Sequence, residues 1–365
     1  MPIYRLFFAM LKKQNLLGLP QSKLNKFFSD LGEKPYRTKQ IMQWIYHRGA
    51  SDFDEMHNLS KDLRQKLFAI ATLDLPKIVK QNHASDGVIK WVIELGENNH
   101  IETVYIPEKD RGTLCISSQV GCALACTFCS TGVQGFNRNI KSHEIIAQVL
   151  IAHNYLVAKD KRISNVVFMG MGEPMLNESA VYDACDLLLD DWAFGLSRRR
   201  VTISSSGVVP ALYRMADTTS VSLAISLHAP DDELRDVLVP INKKYPIKQL
   251  MEACQYYLNA GTQERHIMFE YVMLDGVNDS EVHARKLAKL LKGVSAKVNL
   301  IPFNPFPNTE YKTSKEVTIN QFQDILFKSG IRTTTRRTRG EDVDAACGQL
   351  AGKVQDKSRR NVRRH

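Results

Sequence analysis

Cys122, Cys126 and Cys129 stand in the stretch GCALACTFCS at a C-x3-C-x2-C spacing. Three thiolates so spaced on a loop can hold three irons of a [4Fe-4S] cube and leave the fourth iron without a protein ligand. That open iron is a binding site. The amino and carboxylate groups of S-adenosylmethionine (SAM) can chelate it, and an electron passed into the sulfonium releases a 5′-deoxyadenosyl radical. The competing chemistry is a zinc site with Cys115 as fourth thiolate, but structural zinc sites usually pair two C-x2-C knuckles and this chain has one. Phe128, just before the last cysteine, suits an apolar shield over a cluster and equally suits ordinary packing. A second signal is Gly170-Met171-Gly172-Glu173-Pro174, after the apolar run NVVFM. Glycine lets backbone approach a ligand closely, and a carboxylate at a strand end can accept hydrogen bonds from an amino group. A dinucleotide site would instead need GxGxxG straight after the strand and an acidic residue further on.

The elements that must position these residues alternate strand and helix. TLCISSQV, NVVFMGMG, RRVTISSSG, SVSLAISLHA, HIMFEYVML and AKVNLIPFN read as strands, each followed by a helical stretch from SHEIIAQVLIAHNYL to INQFQDILFKSG. Six such units predict a parallel α/β architecture, either an open doubly wound sheet or an incomplete barrel, with ligands at the carboxyl ends of the strands. Before them, residues 1–75 carry apolar positions at helical spacing, as in SKLNKFFSDL and RTKQIMQWIYHRG, and predict a small helical accessory domain. Residues 76–110 read as a short β-meander, with turns at Ser85-Asp86-Gly87 and Gly96-Glu97-Asn98-Asn99. The core is expected over 111–340, and 341–365 is a C-terminal segment with a basic tail.

A chain of 365 residues with 44% hydrophobic content can bury one sizeable core plus an accessory domain. The opening MPIYRLFFAMLKKQ is too short to span a bilayer and shows no cleavage site, so a cytoplasmic protein is expected. Seven cysteines, four of them within 115–129, suit metal or redox chemistry in a reducing compartment better than a disulfide framework. Lys plus Arg number 49 against 39 Asp plus Glu, a net charge of +10. The excess gathers in Arg198-Arg199-Arg200, in the run RTTTRRTR from Arg332 to Arg339, and in the tail KSRRNVRRH from Lys357 to His365. Such blocks suit a polyanion, nucleic acid above all, though a solvated surface and a loose tail account for them equally well.

The chain resembles the radical SAM RNA adenine methyltransferases over most of its length. The resemblance is carried by GEKPYRTKQIMQWIY, IETVYIPE, TLCISSQVGCALACTFCSTGVQGFNRN, MGMGEP, SSSGVVPAL, AISLHAP, PINKKY, NLIPFNPFP and TRGEDVDAACGQLAGKV. It implies an incomplete (β/α)6 barrel, one [4Fe-4S] cluster on Cys122, Cys126 and Cys129, and two molecules of SAM per turnover. It also implies that C2 of adenosine 2503 in 23S rRNA and of adenosine 37 in tRNA is methylated; C8 methylation, as in related antibiotic-resistance enzymes, is the nearest alternative. A radical route is required because adenine C2 is not a nucleophile toward a sulfonium. By similarity, Cys347 takes a methyl from one SAM and becomes S-methylcysteine. The deoxyadenosyl radical from a second SAM removes hydrogen from that methyl, and the methylene radical adds to C2. Glu102 matches the proton acceptor, and Cys115 the cysteine that frees the RNA through a transient disulfide. Gly172, Glu173, Ser204, Ser226, Leu227, His228 and Asn304 match the SAM contacts. The expected partners are 23S rRNA, tRNA and a flavodoxin-like reductant, with the chain acting as a monomer. From the residues alone, Cys115, Glu102 and His228 read as a small buried residue in a strand, a strand-edge carboxylate and a packed core histidine. Cys185 and Cys254, on helical segments, belong to the core.

Overall fold

The computed structural model describes residues 13–261 and 264–357, so the opening apolar run up to Lys12 and the tail beyond Lys357 lie outside the described residues. The N-terminal part pairs β1 (Gln14–Asn15) in parallel with β2 (Ala71–Thr72) around three helices. These are α1 (Gln21–Asp30), α2 (Tyr36–Met42, continued by a π turn over Gln43–His47) and α3 (Lys61–Ile70). Helical spacing explains the faces: α1 buries Leu24 and Phe28, and α3 buries Leu63 and Leu67, each pair four residues apart. The Ser60 hydroxyl caps α3 by accepting the Leu63 N–H at 3.3 Å. The domain does not stand alone, for its apolar residues join the same core as the rest of the chain, with Tyr46 tilted on Phe194 at 5.3 Å.

The meander is present as β3 (Ile78–His83), β4 (Ile89–Glu94) and β5 (His100–Pro107), all antiparallel. It is continuous with the main sheet, because β5 pairs with β6 (Gly112–Cys115), setting Val104 opposite Cys115. After β6 comes an insertion: β7 (Gln119–Gly121), α4 (Ser130–Gln134) and β8 (Phe136–Asn139). Then follow α5 (Ser142–Val157), β9 (Asn165–Phe168), α6 (Glu178–Leu189), β10 (Val201–Ser205), α7 (Val209–Thr218) and β11 (Ser222–Ser226). The chain continues through α8 (Asp232–Leu238), α9 (Ile247–Asn259), β12 (Ile267–Met273), α10 (Glu281–Leu290), β13 (Ala296–Pro302), α11 (Glu316–Lys328) and β14 (Arg332–Thr335).

The parallel strands run in the order β6-β9-β10-β11-β12-β13-β14, each beside its predecessor in the chain. A doubly wound sheet reverses direction at a switch point. This order never reverses, so the sheet curls one way into an incomplete barrel. Six β/α units are present as expected, and β14 adds a seventh parallel strand from the RTTT half of a segment that reads as a basic block. The barrel stays open because β6 is occupied by β5 and β14 is an edge. The C-terminal segment spans that opening. Arg339 pairs with Asp86 in the β3–β4 turn at 2.6 Å, Lys90 donates to the Asp344 carbonyl at 3.1 Å, and His100 and Lys353 exchange backbone hydrogen bonds at 2.7 and 3.3 Å.

Candidate active site

The three spaced cysteines lie on the loop between β7 and α4, and the β7–β8 pair holds that loop by its base. Cys122 N–H donates to the Gly135 carbonyl at 2.8 Å, and Cys129, the residue before α4, donates to the Cys126 carbonyl at 3.3 Å. All three side chains line one cleft at the carboxyl ends of the barrel strands. Burial pushes each thiol up, Cys126 to about 12, with the neighbouring cysteine charge adding to it. Holding iron as thiolates would reverse that penalty and release protons. Among the described residues no three His, Cys, Asp or Glu side chains converge tightly enough to hold one metal ion. Cys115, at the end of β6, is not among the residues that line this cleft with the three spaced cysteines. A soft three-thiolate set with one corner open therefore fits a [4Fe-4S] cluster. Phe128 packs edge-on against His228 with ring centroids 4.6 Å apart, so it shields the cleft as well as packing.

The glycine-rich turn follows β9. Gly172 has φ +101°, and a Cβ there would lie 2.5 Å from Gln119 Cβ, so glycine is required on both counts. Glu173 is buried, and its carboxylate accepts the N–H groups of Met175 at 3.0 Å and Ser206 at 2.8 Å. Burial raises its pKa and those bonds offset part of the rise. Ser204 in β10, Ser226 at the end of β11, His228 and Asn304 line the same cleft. Leu227 is fully buried, and its N–H donates to the Glu270 carbonyl at 3.1 Å. His228 has φ +61°, and its Nδ1 accepts the Val272 N–H at 3.0 Å. Burial, then the Arg235 charge, pushes its pKa down to about 3, so the ring is neutral.

Cys347 is exposed at the cleft mouth, its carbonyl accepting from the Asn304 amide at 3.0 Å and its sulfur from Arg336 Nη1 at 3.1 Å. Cys115 and Cys347 are free thiols, and burial first, then Cys347, pushes Cys115 up to about 12. Glu102 does not line the cleft. Its carboxylate pairs with Lys90 at 3.5 Å and accepts the Ala351 N–H at 3.2 Å, beneath the segment that carries Cys347. Cys185 and Cys254 are buried in the core.

Three residues escape a reading by motif. Arg235 on α8 is fully buried and donates to the carbonyls of Leu227, Ser206 and Ser226 and to Asn242 Oδ1, at 2.8–3.1 Å. It ties the ends of β10 and β11 together. Glu270 lines the cleft from β12 and accepts from Asn299 at 2.8 Å, and burial raises its pKa. A charge in the middle of HIMFEYVML was its one sequence signal. Arg336 sits just beyond β14, its N–H on the Leu300 carbonyl at 2.8 Å. The run RTTTRRTR thus divides: Arg336 and Arg339 serve the protein's own structure. Arg198-Arg199-Arg200 precedes β10, at the strand ends opposite the cleft, and Arg200 bonds Asn165 at 3.1 Å. That block does not border the site.

Thiolates for a cluster with an open corner, a glycine ledge and strand-end contacts in an incomplete barrel define a radical SAM enzyme, and residues 116–288 match the radical SAM superfamily. Residues 14–73 match the N-terminal domain of ribosomal RNA large subunit methyltransferases. The dual-specificity RNA methyltransferase RlmN of Vesicomyosocius okutanii is 69% identical over 97% of this chain and 100% of its own length. Its counterpart from Ruthia magnifica is 68% identical over the same shares. A crystal structure of a radical SAM methyltransferase from Sphaerobacter thermophilus superposes with TM-score 0.87 and 41% identity over 92% of this chain and 99% of that one. The chain belongs to the RlmN family of radical SAM RNA methyltransferases.

Proposed function

We propose that this protein methylates C2 of adenine at adenosine 2503 of 23S rRNA and adenosine 37 of tRNA, with Cys347 as the carrier of the incoming carbon. The observation that carries the reading is a free cysteine at the mouth of the radical SAM cleft, with a second free thiol, Cys115, close enough to feel its charge. When bound, one [4Fe-4S] cluster on Cys122, Cys126 and Cys129 supplies one-electron chemistry with SAM, of which each turnover uses two molecules. Gly172, Glu173, Ser204, Ser226, Leu227, His228 and Asn304 would hold SAM in the same cleft. Glu173 is suited to an amino group by its buried carboxylate, and Leu227 acts through its main chain. The Cys347 sulfur attacks the methyl carbon of the first SAM and displaces S-adenosylhomocysteine, leaving the methyl on Cys347 as a thioether. That methyl then gives up a hydrogen atom to the 5′-deoxyadenosyl radical from the second SAM, and its carbon bonds to C2, joining enzyme to RNA. Glu102, paired with Lys90, takes the C2 proton while the adduct gives up its unpaired electron, for which the cluster would be the acceptor, and the segment around Ala351 must shift for the base to come within reach. The Cys115 sulfur then attacks that of Cys347. The carbon–sulfur bond breaks with its electron pair staying on the carbon, which takes up a proton to become the methyl group of the departing base. A Cys115–Cys347 disulfide remains for a thiol reductant to reopen; the flavodoxin-like donor supplies the electron that starts the radical step.

The chain acts as a monomer in the cytoplasm, where its cysteines stay reduced; no helix among the described residues is long and apolar enough to cross a membrane. The basic run around Arg337 and the N-terminal helices grip structured RNA by phosphate and shape, with the target base extruded into the cleft. The test is mass spectrometry of nucleosides from unmodified 23S rRNA and tRNA after anaerobic incubation with SAM and reductant. 2-Methyladenosine in both is expected. 8-Methyladenosine would overturn the position of attack, and no methyladenosine from cluster-loaded enzyme would overturn the substrate.

A further inference from the structure

We propose that Arg336 is a positioning residue that holds the Cys347 sulfur as the methyl acceptor and loses its hold once the sulfur is methylated. The inference rests on the carrier role given to Cys347 above. Arg336 is fixed at its backbone to β13, while its guanidinium reaches the sulfur at 3.1 Å. Glu270, also lining the cleft, adds a negative charge felt by the same guanidinium. Asn304 and Gln349 pin the backbone around Cys347, through the Cys347 carbonyl at 3.0 Å and the Pro305 carbonyl at 2.9 Å, but neither touches its sulfur. Arg336 thus supplies the sulfur's hydrogen bond from a charged donor.

A thiolate accepts such a bond strongly, and a thioether accepts weakly. Unmethylated Cys347 is therefore held still, its sulfur fixed by the guanidinium in place to attack a methyl carbon. After methylation the same guanidinium no longer anchors the side chain, and the methyl group is free to turn into the cleft where it must lose a hydrogen. A run that reads as an RNA-binding patch contains, on this account, the residue that senses whether the carrier is loaded.

The test is site-resolved alkylation of cluster-loaded protein by iodoacetamide under anaerobic conditions at neutral pH, with buried Cys185 and Cys254 as references. Loss of a hydrogen bond to a charged group predicts that Arg336→Gln slows alkylation of Cys347 by about tenfold or more. Arg336→Lys, which keeps the charge, should stay within about threefold of wild type. Hydrogen exchange over residues 345–350 should speed up when Cys347 is methylated in wild type and change little in Arg336→Gln. An equal or faster Cys347 rate in a folded Arg336→Gln protein overturns the proposal. If that variant does not fold, a tenfold loss in Arg336→Lys does so instead. Slow alkylation in Arg336→Gln, together with a wild-type Cys347 that takes no methyl from SAM, would leave the contact intact and refute the carrier role.

Discussion

Arg235→Met keeps most of the side-chain volume on α8 and removes every polar contact it makes. Four acceptors lose their partner: the carbonyls of Leu227 at 3.0 Å, Ser206 at 2.8 Å and Ser226 at 3.1 Å, and Asn242 Oδ1 at 2.8 Å. Hydrogen bonds from a charged donor contribute about 1.5–3 kcal/mol each, but the sum is offset by the cost of burying the guanidinium. That cost is visible in a pKa pushed down to about 10, chiefly by burial. A buried acceptor left without a donor costs about 1–3 kcal/mol, so four of them, less the burial cost that leaves with the guanidinium, give an expected loss of about 3–5 kcal/mol. It is a large share of the roughly 5–15 kcal/mol that stabilises a folded protein. The damage should fall on the site, since the freed carbonyls end β10 and β11, where Ser226 and His228 line the cleft. Urea unfolding followed by circular dichroism gives the stability, and calorimetric titration of cluster-loaded protein gives the SAM affinity. A loss of less than about 1 kcal/mol, with SAM affinity unchanged, would refute the role of Arg235 as the tie between strand ends.

Two further outcomes test other parts of the site. Gly172→Ala adds a Cβ at φ +101° against Gln119, whose Oε1 receives the N–H groups of Glu173 at 3.0 Å and Ala123 at 3.2 Å. A stability loss of about 1–3 kcal/mol and weaker SAM binding are expected in the same titrations. Burial, opposed in part by Arg336 and Asn299, raises the Glu270 carboxyl above 4.5. A group whose folded pKa exceeds its unfolded one costs stability as pH rises from the unfolded value through the folded one. Glu270→Gln should therefore match wild type at pH 4 and become the more stable of the two toward pH 8, and identical pH profiles would count against a buried charge at that position.

What was legible in the sequence was local. The cysteine loop, the glycine turn and each strand-helix unit occupy short stretches whose spacing carries their geometry, and the meander announced itself through two glycine turns. Barrel closure was not local. Arg339 finds Asp86 across 253 positions and Lys90 finds Asp344 across 254, so nothing in either neighbourhood signals that the C-terminal segment bridges β14 and the meander. The choice of barrel over doubly wound sheet needed strand order, which periodicity does not contain. β14 was hidden because two of its outward positions bear arginine or threonine and its length is four residues. Arg235 has no motif around it to mark it, and its turn of α8 faces inward beneath the strand ends. The position of Arg198-Arg199-Arg200 opposite the cleft likewise follows only from the direction of β10.

The most direct test of the central claim is mass spectrometry of Cys115→Ala after anaerobic turnover with SAM, reductant and unmodified RNA. The account predicts RNA that stays covalently attached, with a Cys347 peptide carrying a methylene bridge to adenosine, while Cys347→Ala forms neither adduct nor product. Freely dissociating methylated RNA from the Cys115 variant, with no adduct on Cys347, would contradict it.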